Sequence, residues 1–312
     1  MKEISVIGAT SSLGINLVPL LVEKGYQVIA AFRDARRVPA EWRENSAVAL
    51  RELDLKSETD FRPFCRERVV WLAHLEQGRF NEREIEVNVA PFENFLARAT
   101  ESATEKFVFV SSGGSVYGEP SVLPIPENHP RAPLSSYGRA KRALEDKLFE
   151  FARETDLKTA VIRPGNIYGF DDPQRASKGI VAAFLAAIRE HQTFTLIHKG
   201  QTVRDFIHVR DVSRAILAAV ESPQKEIVWN VATGKGTTTR QVLEMILEKS
   251  GAEKPAFEYV ENYSSDVGAN ILSIERITSE SDWRPEIALE EGISRLLKSQ
   301  VPGPRSQGEN RI

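Results

Sequence analysis

Cysteine is almost missing from this chain. Cys65 is the only one in 312 residues, which excludes an intrachain disulfide framework and any cysteine-built metal cluster. Long apolar runs are missing as well. None approaches the roughly 18 residues a membrane-spanning helix needs, so no membrane partner is expected. A surplus of one charge is also absent: 41 Lys and Arg are offset by 44 Asp and Glu, which gives no general drive toward nucleic acid. The opening residues, MKEISVIGAT, pass straight into a strand pattern without a signal-peptide core or a small-residue cleavage site. With the lone cysteine, this reads as a reduced, cytoplasmic setting.

What is present alternates. ISVIG (4–8), QVIAAF (27–32), VVWLA (69–73), KFVFVSS (106–112) and KTAVIRP (158–164) are short, rich in β-branched and aromatic residues, and free of strict polar alternation. Strands buried on both faces of a parallel sheet have this character. Helix-period segments lie between them, such as SLGINLVPLLVEKG (12–25), with Leu13, Leu17, Leu20 and Leu21 on one face and Gly25 as its stop. The pattern predicts an α/β doubly wound parallel sheet, a Rossmann fold, over residues 1–170, with later returns of the chain at about 200–235. Residues 171–300 read mainly as a smaller α+β substrate lobe. It has helices near 178–190, 208–221, 238–250 and 288–299 and short strands near 194–197, 227–231 and 256–260. The Pro/Gly-rich tail 301–312 reads as disordered.

The first strand-to-helix turn is GATSSLG, residues 8–14. Gly8 and Gly14 take the outer glycine slots of a dinucleotide-binding loop, and Ser11 stands in the central one. Phosphate binding there uses the backbone N–H groups and positive end of the helix, so Ser11, Ser12 and Leu13 remain candidate contacts, with a hydroxyl at Ser11 to donate. At the end of the second strand, where a carboxylate would bind the ribose 2′-OH of NAD, stand Phe32 and Arg33, with Arg36 and Arg37 close behind. A guanidinium in place of a carboxylate suits the 2′-phosphate of NADP, although a solvated basic stretch reads the same way. The cofactor expectation is therefore NADP or NAD, with NADP favoured. LDL (53–55) brings Asp54 and Leu55 toward the adenine, or leaves Asp54 as a surface loop residue.

SSYGRAK (135–141) sets Tyr137 and Lys141 four apart, on one face of a helix. An ammonium beside a phenol lowers its pKa from about 10. A phenol tuned in this way serves as general acid or base at a carbinol or carbonyl.

The pair is flanked by FVFVSSGGSVYGEP (107–120) and VIRPGNIYG (161–169). Downstream follow VRDFIHVRDVSRAI (203–216), WNVATGKGTTTRQVLEMI (229–246) and SDWRPEIALEEGI (281–293). From residue 3 to about 298 the chain resembles the extended short-chain dehydrogenase/reductases, in particular their nucleotide-sugar epimerase/dehydratase branch. The resemblance implies that Tyr137 is the acid/base and that Lys141 binds the nicotinamide ribose. Leu72, Ala73, Asn88 and Pro164 would lie along the cofactor, and Asn166 and Arg204 at the substrate's diphosphate or nucleotide. It also implies a homodimer formed through helices near 82–100 and 135–154.

The departures are specific. The branch's catalytic Ser/Thr slot holds Gly113, with Ser112 and Ser115 beside it, and Ser115 is the favoured replacement. Gly114 and Ser115 stand where a 4,6-dehydratase carries an Asp-Glu pair, which argues against elimination of water. The segments AHLEQGRFNEREIEVN, IHKGQTVRDF and NYSSDVGANILS also depart from the branch's pattern, so the nucleotide base cannot be carried over. The favoured activity is an NAD(P)-dependent nucleotide-sugar epimerase acting at C4 through a 4-keto sugar. The alternative is an NADPH-dependent reductase of a 4-keto-6-deoxy nucleotide sugar, which Arg33 favours. A catalytically idle cofactor-binding protein is a third reading, opposed by the intact Tyr137/Lys141 pair.

Overall fold

The five apolar runs between residues 4 and 164 enter one parallel sheet, and the sheet's two buried faces explain their composition. A computed structural model of the chain describes residues 2–75, 83–170, 179–261 and 267–300. The polar tail and parts of two departing segments, at 76–82 and 262–266, lie outside the described residues.

Strand β1 (Lys2–Ile7) leads through the glycine-bearing turn into helix α1 (Ser12–Glu23), and then come β2 (Tyr26–Phe32), the short α2 (Ala40–Glu44), β3 (Val48–Glu52) and β4 (Arg68–Trp71). Helix α3 (Arg83–Thr100), β5 (Lys106–Val110), the one-turn α4 (Gly113–Val116), α5 (Ser136–Glu154) and β6 (Lys158–Pro164) complete this half. Further along, β7 (Asn166–Tyr168), α6 (Ile180–Arg189), β8 (Phe194–Ile197), β9 (Val203–Arg204), β10 (Phe206–His208) and α7 (Val209–Glu221) precede β11 (Glu226–Val231).

The large sheet runs β11-β6-β5-β4-β1-β2-β3, all parallel. Its order reverses between β1 and β4, the kind of crevice in which ligands of doubly wound sheets bind. Strand β5 shows why polar alternation was missing. Phe107 and Phe109 face a core with α3 and α5, where Trp71, Phe92 and Phe95 also pack, while Val108 and Val110 face the core beneath α1 and α7. Edge β11 comes from beyond residue 225, so a late segment completes the main sheet.

The remainder builds small sheets. β7 pairs with β10, and β9 lies between β12 (Thr237–Thr238) and β14 (Ala269–Asn270). β8 pairs with β13 (Phe257–Val260). Around them, α6, α8 (Thr239–Ser250) and α9 (Leu289–Gln300) enclose a third core centred on Phe184, Leu196 and Ile246. Among the described residues no helix is long and apolar enough to cross a membrane.

Candidate active site

A continuous cleft of about 1020 Å³ opens over the carboxyl ends of the large sheet. It runs from Arg33 at the end of β2, past the turn after β1, to Asn166 and Arg204 on the far side.

The floor at the β1 turn is backbone. Gly8 has φ +86°, and a Cβ there would come within 2.9 Å of Ala73 N on the neighbouring β4 loop, so the two loops meet only because Gly8 has no side chain. Ser11 caps α1: its hydroxyl accepts from Gly14 N at 3.1 Å, a cap worth about 0.5–2 kcal/mol. A hydroxyl can accept and donate at once, so the cap leaves Ser11 able to donate into the cleft it lines with Ser12 and Leu13. Gly14 is buried against Ala9, off the cleft wall. A helix N-terminus facing a cleft, with close backbone approach and apolar walls at Leu53, Leu55 and Leu72, fits the pyrophosphate and adenine of a dinucleotide.

At the ribose end, Arg33, Asp34 and Arg37 line the cleft. Arg36 does not join them, because it folds onto Asp34 with Nε and Nη2 each 2.9 Å from the carboxylate. That side-chain pairing, with the Arg36 backbone N–H, holds the Asp34 carboxyl down at about 2. Asp54 is a loop residue: its carboxylate accepts from Lys56 N at 3.1 Å, and its neighbours Leu53 and Leu55 form the wall instead. Asn88 does not reach the wall either. It is buried and clamps the β4 loop, accepting from Leu75 N at 2.7 Å and donating to Leu75 O at 2.8 Å.

Tyr137 and Lys141 enter from the first turns of α5, capped by Ser135. The Lys141 ammonium is buried, 5.7 Å from the Tyr137 ring centre, and donates to Val110 O at 2.8 Å. Burial lowers it to about 7, against the pull of Glu145 and Glu84. Tyr137 runs against the expectation of a lowered phenol. Burial first, then the Glu84 carboxylate, push it up to about 12, and a hydrogen bond with Ser112 works the other way. Its surroundings among the described residues therefore raise the phenol rather than lower it.

Ser112 and Ser115, the two hydroxyls flanking Gly113, both line the cleft, and the Ser112 hydroxyl acts to lower the Tyr137 phenol. Gly113 could not hold the missing hydroxyl. A Cβ there would lie 2.5 Å from Leu272 Cδ1 and 2.9 Å from Arg163 O. The other tyrosine of this loop, Tyr117, belongs to the core, donating to Asn230 Oδ1 at 2.6 Å and accepting from Arg163 Nη1 at 2.9 Å. Arg163 also grips Glu145, one turn beyond Lys141, at 2.7 Å, and so ties α5 to β6.

On the far side, Pro164 and Asn166 line the cleft at the end of β6 and the start of β7. Arg204 joins them, its Nη2 donating to Val267 O at 2.9 Å. Its neighbour Asp205 is fully buried and accepts from Thr233 N, Thr233 Oγ1 and Gly234 N, which pins the strand. Two residues without an assigned role in the sequence reading stand at the centre. His74 lines the cleft with its ring edge-on to Tyr137 (centroids 4.8 Å, 78° between planes), and Glu84 meets His74 Nε2 at 2.7 Å. The sequence signal available was a histidine just beyond an apolar strand, with a glutamate opening the next helix.

Residues 4–232 match the model of the NAD dependent epimerase/dehydratase family. A protein of Methanocaldococcus jannaschii, provisionally named a UDP-glucose 4-epimerase, is 31% identical over 94% of this chain and 97% of its own. The dTDP-4-dehydro-6-deoxyglucose reductase of Escherichia coli is 31% identical over 68% of this chain and 65% of its own. Among solved structures, the UDP-glucose 4-epimerase of Thermotoga maritima with UDP-glucose superposes with a TM-score of 0.85 at 30% identity. That match covers 95% of this chain and 98% of the other.

Proposed function

The chain belongs to the NAD dependent epimerase/dehydratase family, and from that premise we propose that it inverts the C4 hydroxyl of a UDP-linked hexose. The observation that carries the reading is one cleft holding Tyr137, Lys141 and Ser112 midway between a dinucleotide-type turn and the Asn166/Arg204 end. Gly8, Ser11, Ser12, Leu13 and Leu72 would hold the dinucleotide, with Lys141 at its nicotinamide end. When bound, the nicotinamide supplies a reversible hydride acceptor. Tyr137 takes the proton of the C4 hydroxyl as the C4–H bond breaks, and returns it once the 4-keto sugar has turned its other face. Ser112, whose hydroxyl acts to lower the phenol from the same wall, would share that proton. Arg204 offers a permanently charged, fork-shaped donor suited to a diphosphate. Holding the keto sugar in place between the two steps supplies the proximity advantage.

Incubating the protein with UDP-galactose should yield UDP-glucose with no net change in reduced-nicotinamide absorbance, and Tyr137→Phe should cut kcat by roughly 10²–10⁴. Near-normal turnover by that variant would remove Tyr137 from the role. A second reading, reduction of a 4-keto-6-deoxy nucleotide sugar, is favoured by Arg33 on the cleft wall and by the likeness to a reductase. Steady consumption of NADPH with such a keto sugar, and no epimer formed from UDP-galactose, would decide for it.

A further inference from the structure

The family chemistry leaves His74 and Glu84 unused, yet they stand against the residue that matters most. The His74 side chain is 6% exposed and that of Glu84 0%, so their 2.7 Å contact is made in the interior. Glu84 and Asn88 lie four apart on α3, on one face, and hold consecutive loop residues: Glu84 takes the His74 ring, and Asn88 takes both backbone groups of Leu75. The loop is thus gripped from behind while the His74 ring presents its other side to Tyr137.

We propose that His74, oriented by Glu84, is a positioning residue for Tyr137: it backs the phenol in the cleft, and the charge state of the imidazole–carboxylate pair sets how readily that phenol releases its proton. The proposal rests on Tyr137 being the group that exchanges protons with the sugar.

The physical argument concerns charge in a dry place. A carboxylate with no solvent exposure acts over several ångströms with little screening. Glu84 opposes ionisation of Tyr137 and supports the ammonium of Lys141, so its field reaches both α5 side chains. Among the described residues, the other charge acting on Lys141 is Glu145 of the same helix, itself held by Arg163 and Arg131. With His74 protonated, the His74–Glu84 pair is neutral overall and only burial opposes phenolate formation. With His74 neutral, the Glu84 anion remains and opposes it. A proton on the imidazole therefore eases the loss of one from the phenol, and the two titrate as a coupled system.

Two variants should act in opposite directions in the full-length, NAD-loaded protein. His74→Asn withdraws the imidazole and its proton from the carboxylate and should move the Tyr137 midpoint up. Glu84→Gln removes the anion and should move it down, each by roughly half to one pH unit. The readout is the Cζ resonance of ¹³C-labelled tyrosine against pH. The chain has six tyrosines, and Tyr137→Phe identifies the signal. With UDP-glucose as substrate, the acidic limb of the kcat profile should shift the same way in each variant. A Tyr137 midpoint moved by neither variant, or moved alike by both, overturns the proposal whatever the turnover. A midpoint moved as expected in a protein that does not epimerise UDP-glucose upholds this coupling and counts against the function reading alone.

Discussion

Four charged side chains within five positions, Arg33 to Arg37, decide at the scale of single residues how the ribose end of the cleft presents itself. The sequence shows three arginines and one aspartate, but not which of them pair. The tight Asp34–Arg36 fork holds Arg36 off the cleft and occupies the Asp34 carboxylate, leaving Arg33 and Arg37 as the guanidinium groups on the wall. Arg33→Ala should therefore weaken NADP by about tenfold or more, the value of a charge-assisted contact, and weaken NAD far less; titration calorimetry with each cofactor measures it. Equal losses for both would return Arg33 to the solvated surface. Local spacing was enough to find Tyr137, Lys141 and the glycine-bearing turn, because a helix sets residues four apart on one face whatever surrounds it. Local spacing could not choose between Ser112 and Ser115. That choice depends on which hydroxyl the α4 turn aims at α5, and on Leu272 and Arg163 filling the space beside Gly113.

Among the elements, β5 illustrates how a strand can read as uniformly apolar yet begin with a buried charge. Lys106 is 3% exposed and donates to Ser222 O and Gln224 O in the connection from α7 to β11. Burial, aided by Lys158 and Arg68, lowers its ammonium to about 8. The unfolded chain keeps a lysine near about 10.4, so between about pH 8 and 10.4 the unfolded state binds more protons, and stability rises with pH across that window through this group. Lys106→Met should flatten that rise, as judged by urea denaturation at pH 7.5, 9 and 10. An unchanged slope would mean that Lys106 sheds its burial cost in the folded protein by reaching water. Strands 194–197 and 158–164 were legible in full from β-branched and aromatic composition, and helix stops such as Gly25 from the left-handed backbone a glycine tolerates. The placement of β11 beside β6 was legible only as a possible return of the chain, since partner choice between distant strands leaves no local mark.

For the molecule as a whole, the cleft joins segments far apart in sequence, from Gly8 to Arg204, so a dinucleotide at one end and a nucleotide sugar at the other would tie them together. By linkage, a ligand at one hundred times its Kd stabilises the folded state by about 2.7 kcal/mol, a rise in Tm on the order of 5 °C for a chain of this size. Scanning calorimetry with NAD and with NADP checks this. No rise with either at millimolar concentration would remove the cofactor from the account.

The sequence by itself determined the α/β class, the glycine-bearing turn after β1, the Tyr137/Lys141 pair and the absence of a dehydratase's carboxyl pair. All of these are written in local periodicity, glycine placement and residue chemistry at short spacing. Only the tertiary structure decided that Asp54 and Asn88 serve their loops and that His74 and Glu84 stand behind Tyr137. Those outcomes depend on which side chains from separate elements fill the same small volume, and burial there gives each charge an influence that its position along the chain does not reveal.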